Sequence, residues 1–383
     1  LVAVSPSPLA RGTLARQIGA MIEPSPARPL ALVRWLACVA ALIVAIVVVG
    51  GITRLTESGV SITEWNVVSG TLPPLSEAAW QDEFAKYRQT PQFIRINGPA
   101  GMTLATYKVI FFWEWVHRLL ARGIGLVLVL PLVWFWVRRA IPAGYKLRLV
   151  ALAALVPLQG AVGWWMVESG IVADVKVSHF RLATHLLLAL TTLAGVVWTA
   201  CDLAGTAQGE PPARLRPLAA LAAGALVIQL VLGAWVAGLR AGVVAGAGWF
   251  NPDAWPLMQG RLWPAGIDWS QGWLAAIGHD PYLIQFLHRW WAWVVVVLLV
   301  VLARQVRRSG NRPAAIALNA AFGTQIVLGI ATVWSGVWLP LAVAHQLTGA
   351  LLVVATTWAA HAAGSAAETK RYHFTSLQTR PKP

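Results

Sequence analysis

Stretches of roughly twenty apolar residues recur along the chain, near 30–53, 108–137, 147–167, 178–201, 215–238, 281–306, 313–337 and 340–362. A helix rising about 1.5 Å per residue needs about 20 such residues to cross a bilayer. Only helices and closed barrels satisfy their backbone in lipid, and these runs are far too long for barrel strands. The pattern predicts an all-α polytopic membrane protein with eight transmembrane helices. Residues 203–214 are rich in Gly, Ala, Pro and charge. A linker there leaves two four-helix halves, 30–202 and 215–362, with tails at 1–29 and 363–383. Each half opens with a helix that leads into a long loop, roughly 54–107 and 239–280. Gln159, Gly163, Ser169 and Gly170 have the spacing of Gln325, Gly329, Ser335 and Gly336, and Gln229 with Gly233 repeats part of it. This is a parallel internal repeat, two pseudo-symmetric bundles about an axis along the membrane normal. The glycines serve helix packing or leave room for a flat, bulky ligand.

Basic residues set the orientation. Arg11, Arg16, Arg28 and Arg34 precede the first helix or lie in its first turn, and Arg138, Arg139, Lys146 and Arg148 lie between the second and third. Arg214 and Arg216, then Arg304, Arg307, Arg308 and Arg312, occupy the next loops of the same parity, and Lys370, Arg371, Arg380 and Lys382 end the chain. By the positive-inside rule both termini are cytoplasmic and the two long loops face outward. The chain is 57% hydrophobic and 12% charged, so its +15 net charge is this signal and not a nucleic-acid patch. Cys38 and Cys201 lie away from the outer loops, so neither a structural disulfide nor a CxxC motif is expected. The first 28 residues lack the apolar core of a cleavable secretory signal. The outer loops hold Trp65, Trp80, Trp249, Trp255, Trp263 and Trp273, which suits an amphipathic lid on the membrane surface.

One motif occurs twice near the start of an apolar segment: Glu114-Trp115-Val116-His117-Arg118 and Gln285-Phe286-Leu287-His288-Arg289. A second histidine, His185 or His345, follows each copy two segments later. All four histidines fall on helices that enter from outside, about 5–10 residues past the outer end and so some 8–15 Å deep. Ionisable residues at such depth are costly and usually functional. Zinc and copper sites want three or four clustered ligands, whereas a haem needs only an axial pair on facing helices. The alternative for each histidine is a hydrogen bond to a neighbouring helix. His179, His279, His361 and His373 break the pattern and are expected to be surface or interfacial residues. Arg118, Arg122, Arg181 and Arg289 lie close to the histidines. They either snorkel to headgroups or pair with propionates in bidentate fashion. Glu114 shares a helix face with His117, and Gln285 cannot ionise in its place. A carboxylate at one centre alone points to proton transfer or stabilisation of a cation there, or to support of a ligand histidine. The first half is thus the better candidate for chemistry.

With these motifs, and with Gly50-Gly51-Ile52-Thr53-Arg54-Leu55-Thr56-Glu57-Ser58-Gly59, Arg181-Leu182-Ala183-Thr184-His185 and Ala344-His345-Gln346, the chain over about 30–362 resembles the haem A synthase family. It resembles the mitochondrial and alphaproteobacterial group, which lacks outer-loop cysteines. The resemblance implies a bacterial inner-membrane (or mitochondrial inner-membrane) oxidoreductase that oxidises the C8 methyl of haem O to a formyl group, giving haem A for cytochrome oxidase. It implies His117 and His185 as axial ligands of the substrate haem, His288 and His345 as ligands of a haem b cofactor, and a catalytic Glu114. Arg118, Arg181 and Arg289 are candidate propionate contacts. Implied partners are a haem O synthase as supplier, an electron donor that the sequence does not identify, and the lipid bilayer. A homo-oligomer is compatible with the pattern. Other readings of the four histidines are a non-catalytic dihaem b electron carrier and a repeat-built transporter without haem.

Overall fold

The computed structural model describes residues 27–173 and 175–378. The N-terminal tail as far as residue 26, Arg380 and Lys382 lie outside the described residues, as do the side chains of Lys370, Arg371 and His373. The long helices are α1 (Pro29–Leu55), α3 (Leu104–Val137), α4 (Lys146–Glu168), α5 (His179–Thr206), α6 (Pro217–Leu239), α8 (Pro281–Arg308), α9 (Arg312–Trp334) and α10 (Leu339–Gln378). Shorter α2 (Glu77–Tyr87) and α7 (Trp273–His279) lie in the two long loops. Among the described residues, eight helices are long and apolar enough to cross a membrane, and they coincide with the eight predicted segments. The protein is an all-α, multi-pass membrane protein.

Local chemistry sets the helix ends. Thr103 and Thr106 cap each other's backbone at the start of α3, Asp280 accepts from Leu283 N ahead of Pro281 in α8, and Asn311 accepts from Ala314 N in α9. Helix α9 stops at Trp334, three residues short of the predicted end, because Gly336 and Val337 take positive φ angles of 65° and 64°. Pro131 and Pro157 sit inside α3 and α4, a residue that membrane helices tolerate because neighbouring helices reform the lost contacts.

Packing follows the repeat. Helix α1 lies against α3 and α5, as α6 lies against α8, and α4 and α9 lie against α5 and α10. Between the halves, α5 meets α6 and α10 meets α1. The shared core runs through Leu36, Leu149, Leu193, Leu299 and Leu318, none of which is exposed. Apolar burial discriminates little in lipid, so polar contacts fix the seams. At the histidine-bearing end, Arg54 donates to the carbonyls of Ala237 (2.7 Å) and Gly238 (2.9 Å), capping the C-terminus of α6. Glu57 forms an ion pair with Arg240 beside it.

At the opposite end the fully buried Asp202 carboxylate accepts from Arg148 Nη1 (2.5 Å) and Ala213 N (3.0 Å) and pairs with His361 Nε2 (2.8 Å). It thereby ties α4, the 207–216 connection and α10 to α5. His361, expected at a surface, is buried because Asp202 supplies its partner. Asp202→Ala would leave the buried His361 without its acceptor and release Arg148 and the Ala213 N–H as well. It is expected to destabilise the protein by about 3 kcal/mol, read as a lowered thermal midpoint in detergent. Glu64→Gln, which breaks the exposed Glu64–Lys86 pair, should change stability by less than about 1 kcal/mol. Equal midpoints for the two variants would refute the assignment of Asp202 as the hub.

The first long loop differs from the flat lid expected of it. Phe84, Tyr87, Tyr107 and Phe111 form a small aromatic core, with Trp80, Phe93 and Trp115 packed around it. Tyr87 Oη donates to Gln92 Oε1 at 2.8 Å and accepts from Asn97 Nδ2 at 2.6 Å, and burial pushes its phenol up to about 12. The Lys86 ammonium and the Asn66 amide hold the Glu64 carboxyl below the usual range. Trp65, Trp249, Trp263 and Trp273 remain exposed, as the interfacial reading requires.

Candidate functional site

His117 lies 13 residues after Leu104, the first residue of α3, whereas His185, His288 and His345 lie 6, 7 and 6 residues after the first residues of α5, α8 and α10. The uniform depth inferred from the sequence thus fails for α3 when counted from its own end. Its first turns carry Tyr107 and Phe111, which belong to the aromatic core of the loop. In space, His117 still meets His185: their ring centroids are 6.5 Å apart, at 56° between planes. A metal about 2 Å from each coordinating nitrogen sets centroids about 6 Å apart, so one ion fits between these two rings. All four histidines are half-buried. Among the described residues, no three metal-ligating side chains converge.

Each ring stands against a glycine of another helix. A Cβ at Gly163 would come within 2.8 Å of His185 Cε1, and one at Gly233 or Gly329 within 3.1 Å of the same atom of His288 or His345. A Cβ at Gly50 would come within 3.3 Å of His117 Nε2. The glycines of the repeat therefore make room for the imidazoles themselves, a third reading beside helix packing and a ligand plane. Gly163→Val would drive His185 off its position. It should lower metal-group retention at the His117–His185 pair at least about tenfold, read as bound pigment per chain. Full retention would show that the ring can move without loss.

Four donors surround Glu114, which is buried. Oε2 accepts from Ser61 N (2.7 Å), Ser61 Oγ (2.7 Å) and Ile62 N (2.9 Å), and Oε1 accepts from Arg118 Nη2 (2.7 Å). It makes no hydrogen bond to His117. Nothing in the sequence marked Ser61, which lies 53 positions earlier in the first loop. Gln285, at the matching place in the second half, has a buried Oε1 with no partner.

The arginines divide between two tasks. Arg118 also donates to the carbonyls of Glu64 (2.7 Å) and Ile62 (2.8 Å), and Arg122 to those of Val67 (2.7 Å) and Asn66 (2.6 Å). Both therefore bind the backbone of the first loop. Arg181 donates to Trp165 O at 2.6 Å and lies over its ring, 4.6 Å from the centroid. Arg289 holds the second loop through Ala254 O and Leu257 O, both 2.9 Å from Nη1, yet its buried Nε and Nη2 have no partner. A buried cation with two free donors fits an anionic group from outside the chain. His179 is buried, not superficial, with Nε2 2.8 Å from Gly278 O, while His279 is exposed.

Gln346, next to His345, donates to Val47 O at 2.9 Å and ties α10 to α1. Gly51 is the glycine that leaves space for this amide. The ten-residue segment closing α1 is thus accounted for largely by contacts: Gly50 to His117, Gly51 to Gln346, Arg54 to α6 and Glu57 to Arg240.

These features define a polytopic helical membrane protein that presents paired imidazoles near one end of its bundle. The COX15-CtaA family model, described as cytochrome oxidase assembly protein, matches residues 33–357, and the chain belongs to that family. It is 67% identical to a protein named "Heme A synthase" from Novosphingobium aromaticivorans, over 90% of this chain and 99% of that one. Proteins of the same name from Erythrobacter litoralis and Sphingopyxis alaskensis are 59% and 56% identical, over 89% and 88% of this chain and 99% and 93% of theirs. The resemblance read from the motifs is thereby confirmed, and the chemistry of the family concerns haem.

Proposed function

We propose that the chain is a haem A synthase, oxidising the C8 methyl of haem O to the formyl group of haem A. The observation that carries the reading is the His117–His185 pair, whose 6.5 Å centroid separation suits one iron and nothing with more protein ligands. The names of the relatives support the same reaction. The residues fit a porphyrin: glycines beside the imidazoles, and an unpaired buried Arg289 for a propionate.

In this reading His117 and His185, within 30–202, hold the substrate haem. His288 and His345, within 215–362, hold haem b, and 203–214 links the two halves. When bound, the iron porphyrins supply the redox chemistry. The protein's part is to place the substrate and shield it. Arg118 and Arg122 fasten the first loop, and Arg181 stiffens the outer end of α4 through Trp165. Glu114, three residues before His117, holds the loop down through Ser61 and Ile62. With four donors on its two oxygens it is better suited to stabilise positive charge than to collect a proton. In this reading, which the basic loops support, both termini are cytoplasmic and the histidine-bearing end faces outward, in a bacterial inner membrane. A haem O synthase would supply the substrate, and a separate donor the electrons.

Pigment extraction with mass identification tests the reading. Haem O and haem A beside haem b support the synthase. Haem b alone would make the protein a dihaem carrier, and absence of haem absorbance would overturn both.

A further inference from the structure

Three glutamines recur one helical turn before the glycines that seat three of the histidines: Gln159 before Gly163, Gln229 before Gly233 and Gln325 before Gly329. Each amide lies on the imidazole of the adjoining helix. Gln159 Nε2 is 3.1 Å from His185 Nδ1 and donates to His185 O at 2.9 Å. Gln229 Nε2 is 3.1 Å from His288 Nδ1 and donates to His288 O at 3.0 Å. Gln325 Nε2 is 3.4 Å from His345 Nε2. In all three the amide oxygen is buried and, like His345 Nδ1, has no hydrogen-bond partner among the described residues.

An unpaired buried oxygen is costly, and three at one register of a repeat call for a common cause. A neutral imidazole bound to a metal through one nitrogen carries its proton on the other. That N–H is normally donated to an oxygen acceptor, which fixes the ring and makes it a stronger ligand. Each amide nitrogen stands at the ring edge, and the unpartnered oxygen belongs to the same amide. A half-turn of each amide brings its oxygen to the ring, and in Gln159 and Gln229 it gives up the bond donated to the backbone carbonyl of His185 or His288 in exchange.

The fourth histidine lacks this device. Helix α1 occupies in the first half the place of α6 in the second, and Gly50 meets His117 as Gly233 meets His288. One turn before Gly50 stands Ile46, not glutamine. His117 makes no side-chain hydrogen bond among the described residues, and it turns its Nε2 and Cδ2 edge to its glycine where the others turn Cε1. The Glu114 carboxylate is engaged instead by Ser61, Ile62 and Arg118, with no hydrogen bond to His117 among the described residues.

We propose that Gln159, Gln229 and Gln325 are positioning residues whose amide oxygens accept the N–H of iron-bound His185, His288 and His345, and that His117, without such a partner, is the exchangeable ligand. The substrate haem is then held firmly from the His185 side and released on the His117 side, while the second haem is held firmly on both. This rests on the haem reading above. It gives a physical reason for the two sites to differ in turnover although their ligands are the same.

The test is haem transfer from full-length, haem b-loaded protein in detergent to excess apomyoglobin, followed by absorbance. The wild type should lose haem in two phases, the faster from the first half. Ile46→Gln should slow the fast phase about tenfold or more, and Gln159→Leu should quicken it by a similar factor. Gln229→Leu should quicken the slow phase about 10–100-fold, and Gln229→Glu, which keeps an acceptor, should restore it. Leucine is close to isosteric and apolar, so these variants are expected to fold. Haem present but transferred at wild-type rates by Ile46→Gln and both leucine variants would overturn this assignment alone. Wild-type protein that binds no haem would overturn the functional reading and this one with it.

Discussion

On the proposed ligand assignment, replacing His288 by leucine should empty the haem site of the second half, lowering haem retention at that site by at least about 100-fold. Altering the groups behind a ligand typically costs 10–100-fold in metal affinity, and removing the ligand itself costs more. The substitution is selective. His288 is half-buried on α8 against Gly233, so leucine occupies similar volume without forcing helices apart, and Gln229 keeps its bond to the backbone carbonyl of residue 288. The first pair, His117 and His185, belongs to other helices and should still take haem. The measurement is haem b per chain by pyridine haemochrome, with mass identification of the extracted pigments. His279→Leu, at an exposed position, serves as control and should change nothing. Unchanged haem b in His288→Leu would remove His288 as a ligand. Loss in both variants would show that the histidine-bearing end as a whole had been disturbed.

Lipid imposes composition on every residue of a span, which is why the spans could be read directly and each predicted segment coincides with a helix. The ends depend on more local matters. Helix α3 starts at Leu104 because Thr103 and Thr106 form a cap, and because Tyr107 and Phe111 have the loop's aromatics to pack against. Neither cause appears in a hydropathy pattern. The histidines of the site were legible because they recur in a repeated motif and segment order, and the glutamines were visible through the repeat too, though only as its markers. Position within a segment could not disclose partners from distant segments. His361 was misjudged as superficial because Asp202 lies 159 positions away, and His179 because its acceptor, Gly278 O, lies 99 away. The helical i, i+3 relation put Glu114 on the face of His117, but it carried no information about the loop that folds back onto the carboxylate and takes it up.

That loop contact decides what to expect of Glu114→Gln. Oε2, with three donors from Ser61 and Ile62, must remain an oxygen, so the new amide nitrogen falls where Oε1 accepts from Arg118. Two donors then face each other, and a guanidinium only 17% exposed loses its counter-charge. Breaking a buried pair from one side costs about 3–5 kcal/mol. The lower figure applies here, because Arg118 keeps the carbonyls of Ile62 and Glu64. If that energy holds the loop over the substrate site, conversion of haem O should fall about 100-fold, at roughly 1.4 kcal/mol per tenfold. Haem content should be unchanged, and trypsin should cut faster in the loop, where Arg88 and Arg95 offer sites. Ser61→Ala, which removes one of four donors, should give the same two changes at about a tenth of the size, since a hydrogen bond to a charged group contributes about 1.5–3 kcal/mol. A group that served only to move protons would behave otherwise: Glu114→Gln would stop conversion without altering proteolysis, and Ser61→Ala would be silent. Full activity in Glu114→Gln would exclude both roles and leave the four bonds as plain structural support.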